Sequence, residues 1–91
     1  MSRQRRLIHY SGRVQGVGFR YTTSRVAADY AVEGYVRNLP DGRVELVAEG
    51  EAAELDALMK EVRRHMAGHI RDERSDTSEP TGEFPGFQIR Y

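Results

Sequence analysis

The chain's 91 residues suffice for one compact domain but not two, and its 38% apolar and 31% charged residues suit a globular protein with a modest core. Fourteen basic and fourteen acidic side chains cancel to a formal net charge of zero, which argues against a protein that grips nucleic acid through bulk electrostatics. The absence of cysteine excludes disulfides, thiolate nucleophiles and zinc ribbons.

Residues 1 to 5 read as a frayed, basic tail. Only Leu7 and Ile8 separate Arg3, Arg5 and Arg6 from His9, so no signal-peptide core is present, and no stretch reaches membrane-spanning length. The expected address is cytoplasmic, with no membrane partner. From Arg6 to Val14 the residues alternate, with Ile8, Tyr10, Gly12 and Val14 on one face and Leu7, His9, Ser11 and Arg13 on the other, as in a half-buried strand. Gly16 and Gly18 interrupt that run. Phe19, Val26, Ala27, Tyr30 and Ala31 then recur at helical spacing, which predicts a helix over about 19–31 with an apolar stripe able to lie on a sheet.

Gly34 breaks the helical pattern, and two strand-like runs, Tyr35 to Leu39 and Arg43 to Glu49, flank Pro40-Asp41-Gly42. Asp-Gly between alternating runs predicts a hairpin. Val44, Leu46 and Ala48 point one way while Arg43, Glu45, Val47 and Glu49 point the other, so one face of the sheet is expected to meet solvent. After Gly50, the spacing of Leu55, Leu58, Met59, Val62 and Met66 marks a second helix. Its acids (Glu51, Glu54, Asp56) come early and its bases (Lys60, Arg63, Arg64, His65) late, the order a helix dipole favours, and Gly68 suits its cap. Residues 71–83 hold no large apolar side chain, which predicts an edge strand from near Ile70 and then a polar loop around Pro80. Phe87, Ile89 and Tyr91 alternate with Gln88 and Arg90 as a closing strand. This order gives a single α+β domain over 1–91 on the ferredoxin-like βαββαβ plan: an antiparallel sheet with both helices on one face and a possible short fifth strand. The plan by itself says nothing about function.

Chemistry concentrates in Gly12-Arg-Val-Gln-Gly-Val-Gly-Phe-Arg20. A strand that runs through two closely spaced glycines into a helix can turn successive backbone N–H groups toward one point, because Gly16 and Gly18 tolerate positive φ and carry no Cβ. Arg20 adds a permanently charged, forked donor at the helix mouth. The same glycines also fit a plain strand-to-helix turn that binds nothing. The run matches neither G-x-x-x-x-G-K-[ST] nor G-x-G-x-x-G, whose third glycine falls at Tyr21, so a nucleotide is not the obvious anion. Asn38 is similarly two-sided: asparagine is common beside turns for conformational reasons, yet a neutral amide holds a water molecule by one donor and one acceptor. His65 and His69 are four apart, but Gly68 between them ends the helix and no H-E-x-x-H context exists, so no metal site is expected. His9 reads as a surface residue, and no serine or threonine has a readable histidine and acid beside it.

Taken together, Gly12 to Arg20 and Gly34-Tyr-Val-Arg-Asn-Leu-Pro-Asp-Gly-Arg-Val-Glu45 resemble the two signature segments of the acylphosphatase family in order and spacing, and Phe87-Gln-Ile-Arg-Tyr91 is similar to its closing strand. Tyr35 stands where that family often has tryptophan, and residues 71–83 lack the apolar residues usual in its fourth strand. The resemblance implies an enzyme that hydrolyses the carboxyl–phosphate anhydride of acyl phosphates without a metal or cofactor. It further implies that the backbone of Gln15, Gly16, Val17, Gly18, Phe19 and Arg20 wraps the phosphate, that the Arg20 guanidinium binds it, and that Asn38 positions the attacking water. The partners are then a small acyl phosphate and inorganic phosphate, the latter as product and inhibitor, with no nucleic acid; nothing demands more than a monomer. Two alternatives stand beside this. One is a non-catalytic acylphosphatase-like module that binds phosphate or carbamoyl phosphate or regulates a partner, less favoured for a chain that ends at Tyr91 with no partner domain. The other is an RNA-binding sheet, which would need an aromatic-rich strand and net positive charge that this sequence lacks.

Overall fold

The computed structural model describes residues 2–91. Seven elements follow one another: β1 (Arg3–Gly12), α1 (Phe19–Ala27), β2 (Val32–Asn38), β3 (Val44–Glu51), α2 (Ala52–His65), β4 (Ile70–Ser78) and β5 (Phe87–Arg90). The strands form one sheet in the order β4-β1-β3-β2-β5. The ferredoxin-like α+β plan is therefore present, with the fifth strand in place. Pairing is antiparallel except between β2 and β5, which run parallel, so the sheet is mixed where a wholly antiparallel one was expected. The reason is topological. β4 runs along β3 and against β2, so a chain that turns back after Ser78 and reaches the far edge arrives running with β2.

One face of the sheet carries the core. Ile8 and Tyr10 of β1, Val36 of β2, and Val44, Leu46 and Ala48 of β3 pack against Phe19, Val26 and Ala27 of α1 and Leu55, Leu58, Met59 and Val62 of α2. These are the positions that period-2 and period-3.6 apolar spacing mark in the sequence. Among the described residues no helix is long and apolar enough to cross a membrane.

Four further expectations need correction. Residues 3 to 5 are not a frayed tail: they open β1, paired with Glu51, Gly50 and Glu49 of β3, and Arg3 and Arg5 reach Glu33 and Glu49. α1 stops at Ala27, short of residue 31, as Asp29 N and Tyr30 N donate to Val26 O and Ala27 O in a tightened last turn. Tyr30 nevertheless packs against the core, which is why it fits the apolar period. Gly34 does not precede β2 but lies within it at φ +150°, where a Cβ would stand 1.9 Å from Val47 O of β3.

The fourth correction concerns the solvent face. Glu49 and Val47 are each 1% exposed, because residues 79–86 cross the sheet on the side away from the helices. Thr81 N and Oγ1 donate to Glu49 Oε2, Gly82 N donates to Glu49 Oε1, and the Phe84 ring lies 5.8 Å from that of Tyr35. Nearby, the Tyr35 hydroxyl and Arg37 Nε each donate to Glu45 Oε1 at 2.8 Å. Burial pushes the Glu45 carboxyl up, but the donors from Tyr35, His9 and Arg37 hold it below the ordinary carboxylate range. β4, by contrast, is the edge strand its polar sequence predicts, and the Asp41-Gly42 turn closes the β2–β3 hairpin with Leu39 N donating to Arg43 O at 2.8 Å.

Candidate active site

The connection between β1 and α1 holds Gly16 at φ +77° and Gly18 at φ +79°. Both are left-handed, a region that costs other residues about 1–2 kcal/mol. A Cβ on either glycine would meet nothing within 4 Å, so the backbone turn rather than crowding calls for glycine, and the space above it is open. Gly18 is the N-cap of α1, without a side-chain cap bond and with no acid in the first turn. Among the described residues, Arg13 N donates to His69 O and Thr22 N to Gly18 O, each at 2.9 Å, and no backbone N–H between them has a protein acceptor. A helix N-terminus left so uncovered favours an anion.

These amides border an open cleft of about 210 Å³. Gly16, Gly18, Phe19, Arg20 and Tyr21 line it from the loop and the start of α1, Val14 from its base, Asn38 from the end of β2, and Ile89 and Tyr91 from the C-terminal end. Among the described residues no acidic side chain lines the cleft, so its field is set by Arg20 and the positive end of α1. The Arg20 guanidinium lies 4.9 Å from the centre of the Tyr91 ring and has no carboxylate partner among the described residues. Asn38 Oδ1 is buried and has no hydrogen-bond partner among the described residues. A buried acceptor without a donor costs about 1–3 kcal/mol, so this oxygen is suited to accept a hydrogen bond from a water or ligand in the cleft.

The other sequence candidates are placed differently. Gln15 turns its side chain away from the cleft toward the β2–β3 hairpin, where Nε2 donates to Leu39 O at 2.8 Å and to Arg43 O at 2.9 Å. Val17 is 38% exposed and does not line the cleft. The Phe19 side chain is buried in the core, its ring 4.9 Å from Tyr10, so only its backbone faces a ligand. His9 sits on the opposite face of the sheet from the core, Nε2 3.1 Å from Glu45 Oε2. His65 ends α2 and His69 lies beyond it, so the two do not share a helix.

Two contributions escaped the sequence reading. The bracing role of Gln15 depends on a contact 24 residues away along the chain, which periodicity does not encode. The approach of Ile89 and Tyr91 to the cleft depends on β5 joining the sheet beside β2, and alternation alone does not choose an edge.

Comparisons with known proteins agree on this architecture. Residues 7–89 match the family model described as acylphosphatase. An acylphosphatase of Paenarthrobacter aurescens is 48% identical over 80 residues, covering 87% of this chain and 85% of the relative. The crystal structure of acylphosphatase from Bacillus subtilis superposes with a TM-score of 0.87 at 35% identity, over 99% of this chain and 100% of that one. Full-length HypF, solved in a phosphate- and nucleotide-bound form, matches with a TM-score of 0.86 at 26% identity over 99% of this chain but only 12% of its own.

Proposed function

This chain belongs to the acylphosphatase family of acyl-phosphate hydrolases, and from that premise we propose that its cleft cleaves the carboxyl–phosphate anhydride of small acyl phosphates by in-line attack of a single water. The observation that carries this reading is the meeting of Arg20 and Asn38 in one cleft, beside a helix N-terminus whose amides have no protein acceptor.

In this scheme the phosphoryl group rests on the loop from Gln15 to Arg20, its oxygens accepting from the backbone N–H groups and from the Arg20 guanidinium. Asn38 Oδ1 accepts from the attacking water and aims its lone pair at phosphorus, on the side opposite the acyl oxygen. As the water oxygen bonds to phosphorus, the bond from phosphorus to the acyl oxygen breaks and its electron pair departs with the carboxylate. Both water protons end on the phosphate, so an acyl phosphate dianion and water yield a carboxylate and dihydrogen phosphate. The leaving group's conjugate acid has a pKa near ~4, like the side-chain carboxyls, so it departs without a proton donor. What remains is to spread charge on the equatorial oxygens over aligned donors, which amides and a guanidinium supply without a metal ion. Every group in the scheme comes from one chain, so a monomer suffices.

The test is phosphate release from a simple acyl phosphate, with and without chelator, beside a stable phosphate monoester. Hydrolysis confined to the anhydride and indifferent to chelator is the expected result. Equal hydrolysis of both compounds, or loss of activity on chelation, overturns the scheme.

A further inference from the structure

Most arginines of this chain have a side-chain partner where they stand. Many face a carboxylate, as Arg5 faces Glu49 and Arg63 faces Glu73, while Arg20, Arg25 and Arg90 lie over tyrosine rings. Among the described residues, Arg13 and Arg71 have neither kind of partner, and both residues line one open groove of about 330 Å³. The end of β1 forms one wall of this groove, through Gly12 and Arg13, and the connection from α2 into β4 forms the other, through Gly68, His69, Ile70 and Arg71. The hydrogen bond from Arg13 N to His69 O, 2.9 Å long, holds the two walls together. Among the described residues no acidic side chain lines the groove.

Two like charges that share a concavity without a counter-ion repel one another, and the field lines that converge there draw in anions. Each guanidinium offers a planar fork matched to two oxygens of one oxyanion. His69 lines the groove as well, and among the described residues its buried Nδ1 has no hydrogen-bond partner. A single carboxylate would neutralise only one arginine, whereas a phosphoryl group carries two charges and has oxygens enough for both forks.

We propose that this groove is a second anion site, distinct from the Arg20–Asn38 cleft, and that it takes a phosphoryl group. The two sites lie on either side of one stretch of chain: Gly12 and Arg13 face the groove while Val14 lines the cleft. The groove's occupant is either free phosphate or the phosphate of a larger metabolite. Its existence does not depend on the hydrolytic scheme above.

The experiment follows backbone amide shifts of the ¹⁵N-labelled chain during titration with inorganic phosphate, and separately with glycerol phosphate, a monoester. Two groups of resonances are expected to move in saturable fashion, one at residues 16–20 and another at Gly12, Arg13 and residues 68–71. In Arg13→Ala/Arg71→Ala the second group is expected to need at least tenfold more ligand while the first is unchanged, and hydrolysis of an acyl phosphate at low phosphate proceeds at the parent rate. The charge-retaining Arg13→Lys/Arg71→Lys keeps part of the affinity, and the same spectra report whether each variant is folded. Tighter binding of the monoester identifies a phosphorylated metabolite as the occupant, and equal binding identifies the free anion. The proposal fails if the groove residues show no saturable shift at millimolar ligand, or if their shifts persist unaltered in the double alanine variant. Movement at residues 16–20 alone overturns it while leaving the hydrolytic site intact.

Discussion

Arg20 and Asn38 enter the same cleft from different elements, and the scheme gives them separable duties. In that scheme Arg20 meets phosphoryl charge that is present in the ground state and is carried through the transition state. Arg20→Gln should therefore lower kcat by about 10²–10³-fold, as loss of one preorganised donor does elsewhere, and also weaken inhibition by phosphate in steady-state kinetics. Asn38, in the same scheme, meets only the water. Asn38→Ala should reduce kcat while the phosphate inhibition constant stays near its parent value; turnover at the parent rate would remove Asn38 from the scheme. Gln15 acts at one remove, through the carbonyls of Leu39 and Arg43. Gln15→Ala should cost about 1–3 kcal/mol in urea unfolding, because it strips a donor from two carbonyls, and lower kcat as the loop and hairpin lose their brace. Turn signals alone left Arg20 and Asn38 open to plain conformational readings; the two segments that resemble acylphosphatase signatures singled them out, and the fold brings both to one cleft. The direction of the Gln15 side chain was not legible in the sequence, since nothing local distinguishes an amide that faces a ligand from one that faces a neighbouring hairpin.

At the level of elements, apolar periodicity located both helices and most strands but reported burial rather than backbone shape. Tyr30 keeps the helical period from a turn, and so the first helix was read four residues too long. Alternation also assigned Glu49 to a wet face, and what covers it, the segment around Thr81 and Gly82, comes more than thirty residues later. Burial there pushes the Glu49 carboxyl up, yet the N–H groups of Thr81 and Gly82, the Thr81 hydroxyl and Arg5 outweigh it and bring the pKa down to about 2 from an ordinary 4.5. A carboxyl depressed in the folded state contributes stability that is fully present above the unfolded-state pKa. That contribution is lost as pH falls from about 4.5 toward 2. Its ceiling is about 3 kcal/mol at neutral pH. Glu49→Gln should accordingly lower the unfolding free energy at pH 7, and the gap between variant and parent should narrow by more than half at pH 3. A gap independent of pH would show that the crossing segment is held by packing rather than by this charge.

For the molecule as a whole, chain order and sheet order diverge. β1 pairs with β3 and β4, and β2 with β5, so much of the sheet joins segments far apart in sequence. Closing such loops precedes the contacts that reward it, and refolding in stopped-flow experiments should fall in the range of milliseconds to seconds rather than microseconds. The ferredoxin-like layering was readable from the succession of elements, whereas the parallel pairing at one margin was not, because it follows from where the chain crosses. The opposite margin has a consequence of its own. β4 is polar along its length, with Arg71, Asp72, Arg74 and Asp76 all exposed. A stray strand from another molecule that tried to extend the ladder there would have to strip water from charges of both signs and would gain no oily surface in exchange. The lack of grease that makes this strand look improbable on paper makes it a poor template for fibril growth.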